Sequence, residues 1–228
     1  MTAKVFAGAP IAALIFDIDG TIIDSMPFHG RSWPIMLARH GIGDNHDGLL
    51  RKSAGRTGLE LMRDIFGPDI PDERALALVD EKEAIYREMF GPEFREVSGF
   101  TAFAHEARGA GLKLALGTAG NPANIKFAVD GLGLTDFFDA LVGAADVTRG
   151  KPEPDIFLEA ARRMNVAPEQ CVVFEDAPLG IEAARRAGMR AVALTTSEPQ
   201  TRFAGHPHVI RICGHYRGLT VDDLSQSM

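Results

Sequence analysis

Ile11-Ala12-Ala13-Leu14-Ile15-Phe16 runs directly into Asp17-Ile18-Asp19-Gly20-Thr21, and the fold is decided at that join. An unbroken apolar run of this length is how a strand buried on both faces of a parallel sheet reads. Within one residue the chain turns acidic. Side chains alternate along an extended segment, so Asp17 and Asp19 share a side while Ile18 points away. Ligands of open α/β sheets gather at the carboxyl ends of the strands, and the acid pair falls there. One carboxylate can attack an electrophile and its neighbour can move a proton. Asp-Gly is also ordinary turn chemistry, so the pair alone leaves a plain surface turn open.

Downstream the same unit recurs. Short apolar runs at 112–116, 141–142, 171–174, 191–194 and 209–212 alternate with helical patterns at 101–109, 122–131, 154–164 and 178–187. That alternation predicts an α/β fold, a doubly wound parallel sheet with helices on both faces. Residues 25–96 interrupt it with helical periodicity. The stretches 49–66 and 72–90 are its clearest helices, ended by Gly67-Pro68 and Gly91-Pro92. Pro34 falls within an earlier helix, which it should kink or restart. The expected organisation is a discontinuous core, residues 1–24 and 97–228, carrying an inserted α-helical cap domain, residues 25–96.

The 228 residues carry a net charge of −7, with 46% hydrophobic and 24% charged side chains. No basic stripe suits a nucleic acid, and no run approaches the roughly 20 apolar residues of a membrane span. Residues 1–10 lack the apolar run of a signal peptide. Cys171 and Cys213 lack C-x-x-C spacing and cannot build a disulfide framework. A soluble protein of the reducing cytoplasm is expected, with no nucleic-acid or membrane partner.

Three more motifs sit at predicted strand ends. Gly117-Thr118-Ala119-Gly120-Asn121-Pro122 combines a hydroxyl with an Asn N-cap and a proline at the first helical position. Free backbone N–H groups of Ala119, Gly120 and Asn121, with the Thr118 hydroxyl, would seat a phosphate; a normally capped strand-to-helix turn has the same sequence. In Lys151-Pro152-Glu153-Pro154 a stiff loop presents a lysine able to neutralise a nucleophilic carboxylate, although solvated lysines are common. Glu175-Asp176 places adjacent acids near Asp17, which would repel unless a cation lay between them. Magnesium, which takes oxygen ligands and is shared with substrate phosphate, fits that need; Asp176 as a plain helix cap is the alternative. Each motif is modest alone. Together they supply the parts of phosphoryl-transfer machinery on one sheet.

In order and spacing, Asp17–Thr21, Thr118, Lys151 and Glu175-Asp176 resemble the four motifs of the haloacid dehalogenase-like superfamily. The likeness spans nearly the whole chain, up to about residue 200, and the insertion resembles a C1 cap on a Rossmann-like core. Within the superfamily the chain most resembles the β-phosphoglucomutase-like group, which also holds sugar-phosphate phosphatases. The resemblance implies that Asp17 is the nucleophile, Asp19 the general acid/base, Thr118 a phosphoryl ligand and Lys151 a charge stabiliser. It implies Mg2+ held by Asp17, the Asp19 backbone carbonyl and Asp176, with Glu175 supporting through water. On the cap it implies that His29, Trp33, Arg56 and Lys82 bind substrate; as residues, Trp33 reads more often as core, His29 reads also as a satisfied structural histidine, and the cations read at least as readily as solvated helix charges.

The expectation is a phosphoric monoester hydrolase acting on a small phosphorylated metabolite, a sugar phosphate, through an aspartyl-phosphate. The alternative is a β-phosphoglucomutase-like phosphomutase. Gly120 and Pro122 favour the phosphatase, because the mutase has donor side chains for a second phosphate there. A non-catalytic binding protein on this fold is the third reading, and retention of both Asp17 and Asp19 speaks against it. Oligomeric state and the role of the tail after about residue 200 are not legible.

Overall fold

Among the described residues, six strands form one sheet: β1 (Ala13–Phe16), β2 (Lys113–Gly117), β3 (Ala140–Val142), β4 (Cys171–Glu175), β5 (Arg190–Leu194) and β6 (Val209–Cys213). This computed structural model describes residues 9–43 and 58–225. All neighbouring strands run parallel, in the order β3-β2-β1-β4-β5-β6. The order reverses about β1, so the crevice at its carboxyl end lies at a topological switch point. Phe16 pairs with Leu116 on one side and with Phe174 on the other. One residue further on, this register sets Asp17 between Gly117 and Glu175.

Strand alternation sorts the core into two layers. Leu14, Phe16, Leu116, Val172 and Phe174 pack with Phe100, Phe103 and Tyr216 on one face. Ala13, Ile15, Val173, Ala191 and Ala193 pack with Ile156, Phe157, Ile181 and Ala184 on the other. Both faces are therefore covered, as the continuous apolar strands require.

Among the described residues, three helices lie between Ile23 and Glu96: α1 (Met26–Arg39), α2 (Gly58–Phe66) and α3 (Asp72–Phe90). Their facing sides make a separate cluster of Trp33, Met36, Leu37, Leu61, Met62, Leu78 and Ile85. The chain enters and leaves this unit side by side, through an antiparallel bridge of Ile23 with Glu96 and the bonds Asp24 N–Arg95 O and Val97 N–Ile22 O. The next helix, α4 (Phe100–Gly109), leads into β2, and after β2 come α5 (Pro122–Gly131), α6 (Asp155–Met164) and α7 (Pro178–Arg186).

Two helix expectations change. α1 runs through Pro34 without restarting. The carbonyl that Pro34 leaves without its helical partner belongs to Gly30, which is part-exposed. Of the helix expected over 49–66, the part from Gly58 is helical, and the earlier part lies outside the described residues.

Candidate active site

At the ends of β1 and β4, three carboxylates meet one ammonium. Lys151, whose side chain has no exposed surface, donates to Asp17 Oδ1 and to Glu175 Oε1, each at 2.6 Å. Its loop follows β3, and the Lys151-Pro152 peptide is cis. Asp17, Glu175 and Asp176 are all buried and bring carboxylate oxygens within 4.8 Å of one another. Glu175 spends its second oxygen on the Ala177 N–H at 2.8 Å. Asp176 accepts from the Ser197 hydroxyl and, at 3.4 Å, from Thr21 Oγ1. Thr196 Oγ1 donates to the Gly20 carbonyl at 2.5 Å, tying the loop after β5 to the loop after β1.

Gly20 has φ +75°, and a Cβ there would overlap the Asp176 carboxylate. A Cβ on Gly180 would likewise overlap Glu175. Both glycines are needed for the close approach of backbone to acid.

This cluster has too little positive charge. Burial pushes the Asp17 carboxyl up to about 7, and although Lys151 opposes the rise, Glu175 adds to it. Burial, with Glu175 and Asp17 nearby, also holds Asp176 well above the usual carboxylate range. Burial works against the charged Lys151, yet the two carboxylates beside it raise its affinity for the proton. A buried all-oxygen set short of one cation suits a hard divalent ion.

Asp19 faces the other way. Its Oδ1 accepts from Ser25 Oγ at 2.7 Å and Tyr86 Oη at 3.2 Å, and lies 2.9 Å from His29 Nε2. Burial alone would raise this carboxyl, but His29 and the Ser25 hydroxyl more than offset it and hold it at about 2. His29 stacks on Tyr86 at 3.8 Å, and Lys82 Nζ lies 2.5 Å from its Nδ1. A charged ammonium only donates, so Nδ1 is the acceptor in that contact.

The β2–α5 loop completes the rim. Asn121 caps α5 by accepting from Asn124 N at 2.9 Å. The Thr118 N–H is taken by the Val142 carbonyl and the Gly120 N–H by Thr118 Oγ1, both at 3.0 Å. Of the Ala119, Gly120 and Asn121 N–H groups expected to be free, that of Gly120 is thus engaged. The Thr118 O–H proton stays available, since its oxygen is the acceptor in that bond.

One cavity of about 410 Å³ joins these parts, lined by Asp17, Asp19, Glu175 and Asp176 at one end and by α1, α2 and α3 at the other. That volume is within the range of small-molecule sites. Of the expected site residues, His29, Trp33, Lys82, Thr118, Ala119, Gly120 and Asn121 line it. Lys151 stands behind Asp17, and Arg56 lies outside the described residues. Sequence reasoning missed Ser25, Asp80, Glu83, Tyr86, Asn124 and Ser197. Glu83 and Tyr86 were findable from Lys82, since positions 82, 83 and 86 fall on adjoining faces of α3. No local signal marks Ser197 or Asn124.

The chain matches the model of the haloacid dehalogenase-like hydrolases over residues 11–188. It is 38% identical over 183 residues to the fructose-1-phosphate phosphatase YqaB of Escherichia coli strain K12, covering 79% of this chain and 95% of that one. It is 36% identical over 193 residues to the validoxylamine A 7'-phosphate phosphatase of Streptomyces hygroscopicus subsp. limoneus, covering 83% and 88%. Among solved structures, a β-phosphoglucomutase of Clostridium difficile superposes with a TM-score of 0.79 at 24% identity, over 93% of this chain and 94% of that one; at that identity the likeness speaks to the fold. With its parallel sheet, its helical insertion and its acids at the strand ends, the chain belongs to the haloacid dehalogenase-like hydrolase family.

Proposed function

We propose that the protein is a magnesium-dependent phosphatase that hydrolyses a sugar phosphate through an aspartyl-phosphate on Asp17. The observation that carries this is the Asp17 carboxylate, held by Lys151 at 2.6 Å beside Glu175 and Asp176 and facing the cavity. The relatives named as phosphatases of phosphorylated carbohydrate-like molecules support the reaction class.

In the first half-reaction an Asp17 oxygen attacks phosphorus as the bond to the leaving alcohol oxygen breaks, and Asp19 gives that oxygen a proton. In the second, water attacks the same phosphorus, Asp19 takes its proton, and phosphate leaves with Asp17 regenerated. Lys151 offsets charge on the Asp17 side throughout, and the Thr118 hydroxyl donates to a phosphoryl oxygen. Asp17, Asp176 and the Asp19 carbonyl would hold magnesium, with Glu175 supporting through water since Lys151 and Ala177 already occupy its oxygens; the ion supplies charge screening for the acids and the phosphoryl group.

In the arrangement seen here Asp19 is the ionised, base form. Its acid form requires release from His29 and Ser25, both contributed by the helical unit 25–96 or its entrance. That unit is the cap, and its movement against the core couples substrate entry to the proton state of Asp19. The test is a phosphate-release screen over hexose and pentose phosphates, with isomerised sugar phosphate followed in parallel. Free phosphate with no isomerisation is expected; isomerisation outpacing phosphate release would make the enzyme a mutase.

A further inference from the structure

The loop after β5 reaches back to the acid cluster with two hydroxyls. β5 pairs with β4 so that Ala193 lies opposite Glu175, and Thr195 N still bonds the Cys213 carbonyl beyond the strand end. Thr196 Oγ1 then donates to the Gly20 carbonyl at 2.5 Å, which fixes the loop, and Ser197 donates to Asp176 Oδ2. The approach is close. A Cβ on Gly20 would stand 2.1 Å from that same Oδ2 and 2.8 Å from Ser197 Oγ. Serine, acid and glycine pack as one unit.

An oxygen count shows what Ser197 does there. Lys151 bonds Asp17 Oδ1 and Glu175 Oε1, and the Ala177 N–H takes Glu175 Oε2. The ammonium is thus spent on two of the three acids. Asp176 is oriented by hydroxyls instead, Ser197 on Oδ2 and Thr21, at 3.4 Å, on Oδ1. The Thr21 contact lies outside the usual O–H···O range of about 2.5–3.0 Å, so Ser197 sets the rotation of the Asp176 carboxylate. None of the three acids then has both oxygens free of a donor. Two-oxygen ligation by any one of them would have to displace or share a donor. Magnesium accepts such a set, because it takes one or two carboxylates in a near-octahedral shell and keeps several waters. Calcium takes about six to eight oxygens, often two from one carboxylate, and gains most from acids free to turn.

We propose that Ser197 is a positioning residue whose hydroxyl holds Asp176 to one-oxygen ligation and so makes the cluster discriminate magnesium from calcium. The hydroxyl is neutral and does this without changing the charge of the cluster. This role rests on the magnesium-dependent phosphatase reading above and deepens it.

The test titrates magnesium and calcium separately into metal-free wild type, Ser197→Ala and Ser197→Thr, and reads the apparent Kd of each ion from the rise in Tm. In Ser197→Ala the magnesium Kd should rise about tenfold, the lower end of the scale for losing a hydrogen bond to a metal ligand. The calcium Kd should rise about twofold or less, so the ratio of calcium Kd to magnesium Kd falls about fivefold. Ser197→Thr keeps the hydroxyl and should hold the wild-type ratio. Each ratio is taken within one preparation, and Ser197 is only half-buried, so a general loss of stability does not mimic the effect. A ratio unmoved in Ser197→Ala, or moved equally in Ser197→Thr, overturns the role of the hydroxyl. p-Nitrophenyl phosphate separates the two levels. Magnesium-dependent hydrolysis by the wild type, with the ratio unmoved in Ser197→Ala, overturns the role of Ser197 and leaves the phosphatase standing; a wild type that binds neither ion and releases no phosphate removes both.

Discussion

Lys151→Met removes one charge from a place where nothing can replace it. The ammonium has no exposed surface and bonds Asp17 and Glu175 at 2.6 Å each. Methionine keeps the length of the stem and leaves two buried carboxylates without their cation. Breaking a buried pair by removing one partner costs about 3–5 kcal/mol. Proton uptake limits that cost. Asp17 is already pushed up to about 7 with Lys151 present, and without it the carboxyl rises further and can neutralise itself.

The sign follows from that rise. A carboxyl whose pKa is higher folded than unfolded contributes stability at low pH and loses it as pH climbs through the folded value. The deficit of the variant should therefore be greatest above pH 7 and shrink towards pH 5, by at most about 1.4 kcal/mol per pH unit. At pH 8 in chelator we expect a loss of about 3 kcal/mol, a fall in Tm of roughly 6–12 °C for a chain of this size. Phosphate release with magnesium should drop about 100-fold or more, as when a charge stabiliser is lost from an active site. Thermal melts at pH 5 to 8 and a phosphate-release assay read both effects. A variant melting within about 2 °C of wild type at pH 8, with a deficit that does not depend on pH, would refute this account of Lys151.

Two further outcomes follow from the same cluster. In the metal-free protein Asp17 is raised to about 7 and Asp176 is raised as well, so its Tm should fall as pH rises from about 4 to above 7. Added magnesium should restore Tm most at the alkaline end, with activity lost in chelator; a melt indifferent to magnesium at pH 8 would contradict this. Gly20→Ala forces a Cβ onto the Asp176 carboxylate at a backbone φ of +75°. It should cost about 1–3 kcal/mol in chelator melts and weaken magnesium activation, and an unchanged melt with unchanged magnesium dependence would count against the tight approach.

The core end of the site was legible because its residues sit one step beyond short apolar runs. Asp17, Thr118 and Asp176 follow β1, β2 and β4, Glu175 closes β4, and in-register parallel pairing brings such positions together without knowledge of the loops. Lys151 reached the same point from a loop, and only its setting among the other motifs distinguished it from a solvated lysine. Asp19 was legible as an acid, but its attachment to Ser25, Tyr86 and His29 depends on how the helical unit lies over the core. Glu83 and Asn124 meet across 41 residues of sequence, a pairing set by the packing of α3 near α5 rather than by local pattern. The restart expected at Pro34 does not occur, because the proline rule does not count the exposure of the carbonyl it orphans, and Gly30 is part-exposed.

The central claim is that phosphate passes through Asp17, and trapping the acyl phosphate tests it most directly. Wild-type enzyme is quenched with borotritide during turnover of a sugar phosphate or of p-nitrophenyl phosphate, which reduces an aspartyl-phosphate to labelled homoserine, and the labelled peptide is sequenced. The account predicts label at position 17 in the wild type. It predicts no label in Asp17→Asn, which should also lose turnover while keeping its fold, since a carboxamide is a poor nucleophile. Steady phosphate release from the wild type with no label at position 17, or an Asp17→Asn enzyme working within about tenfold of wild type, would contradict it.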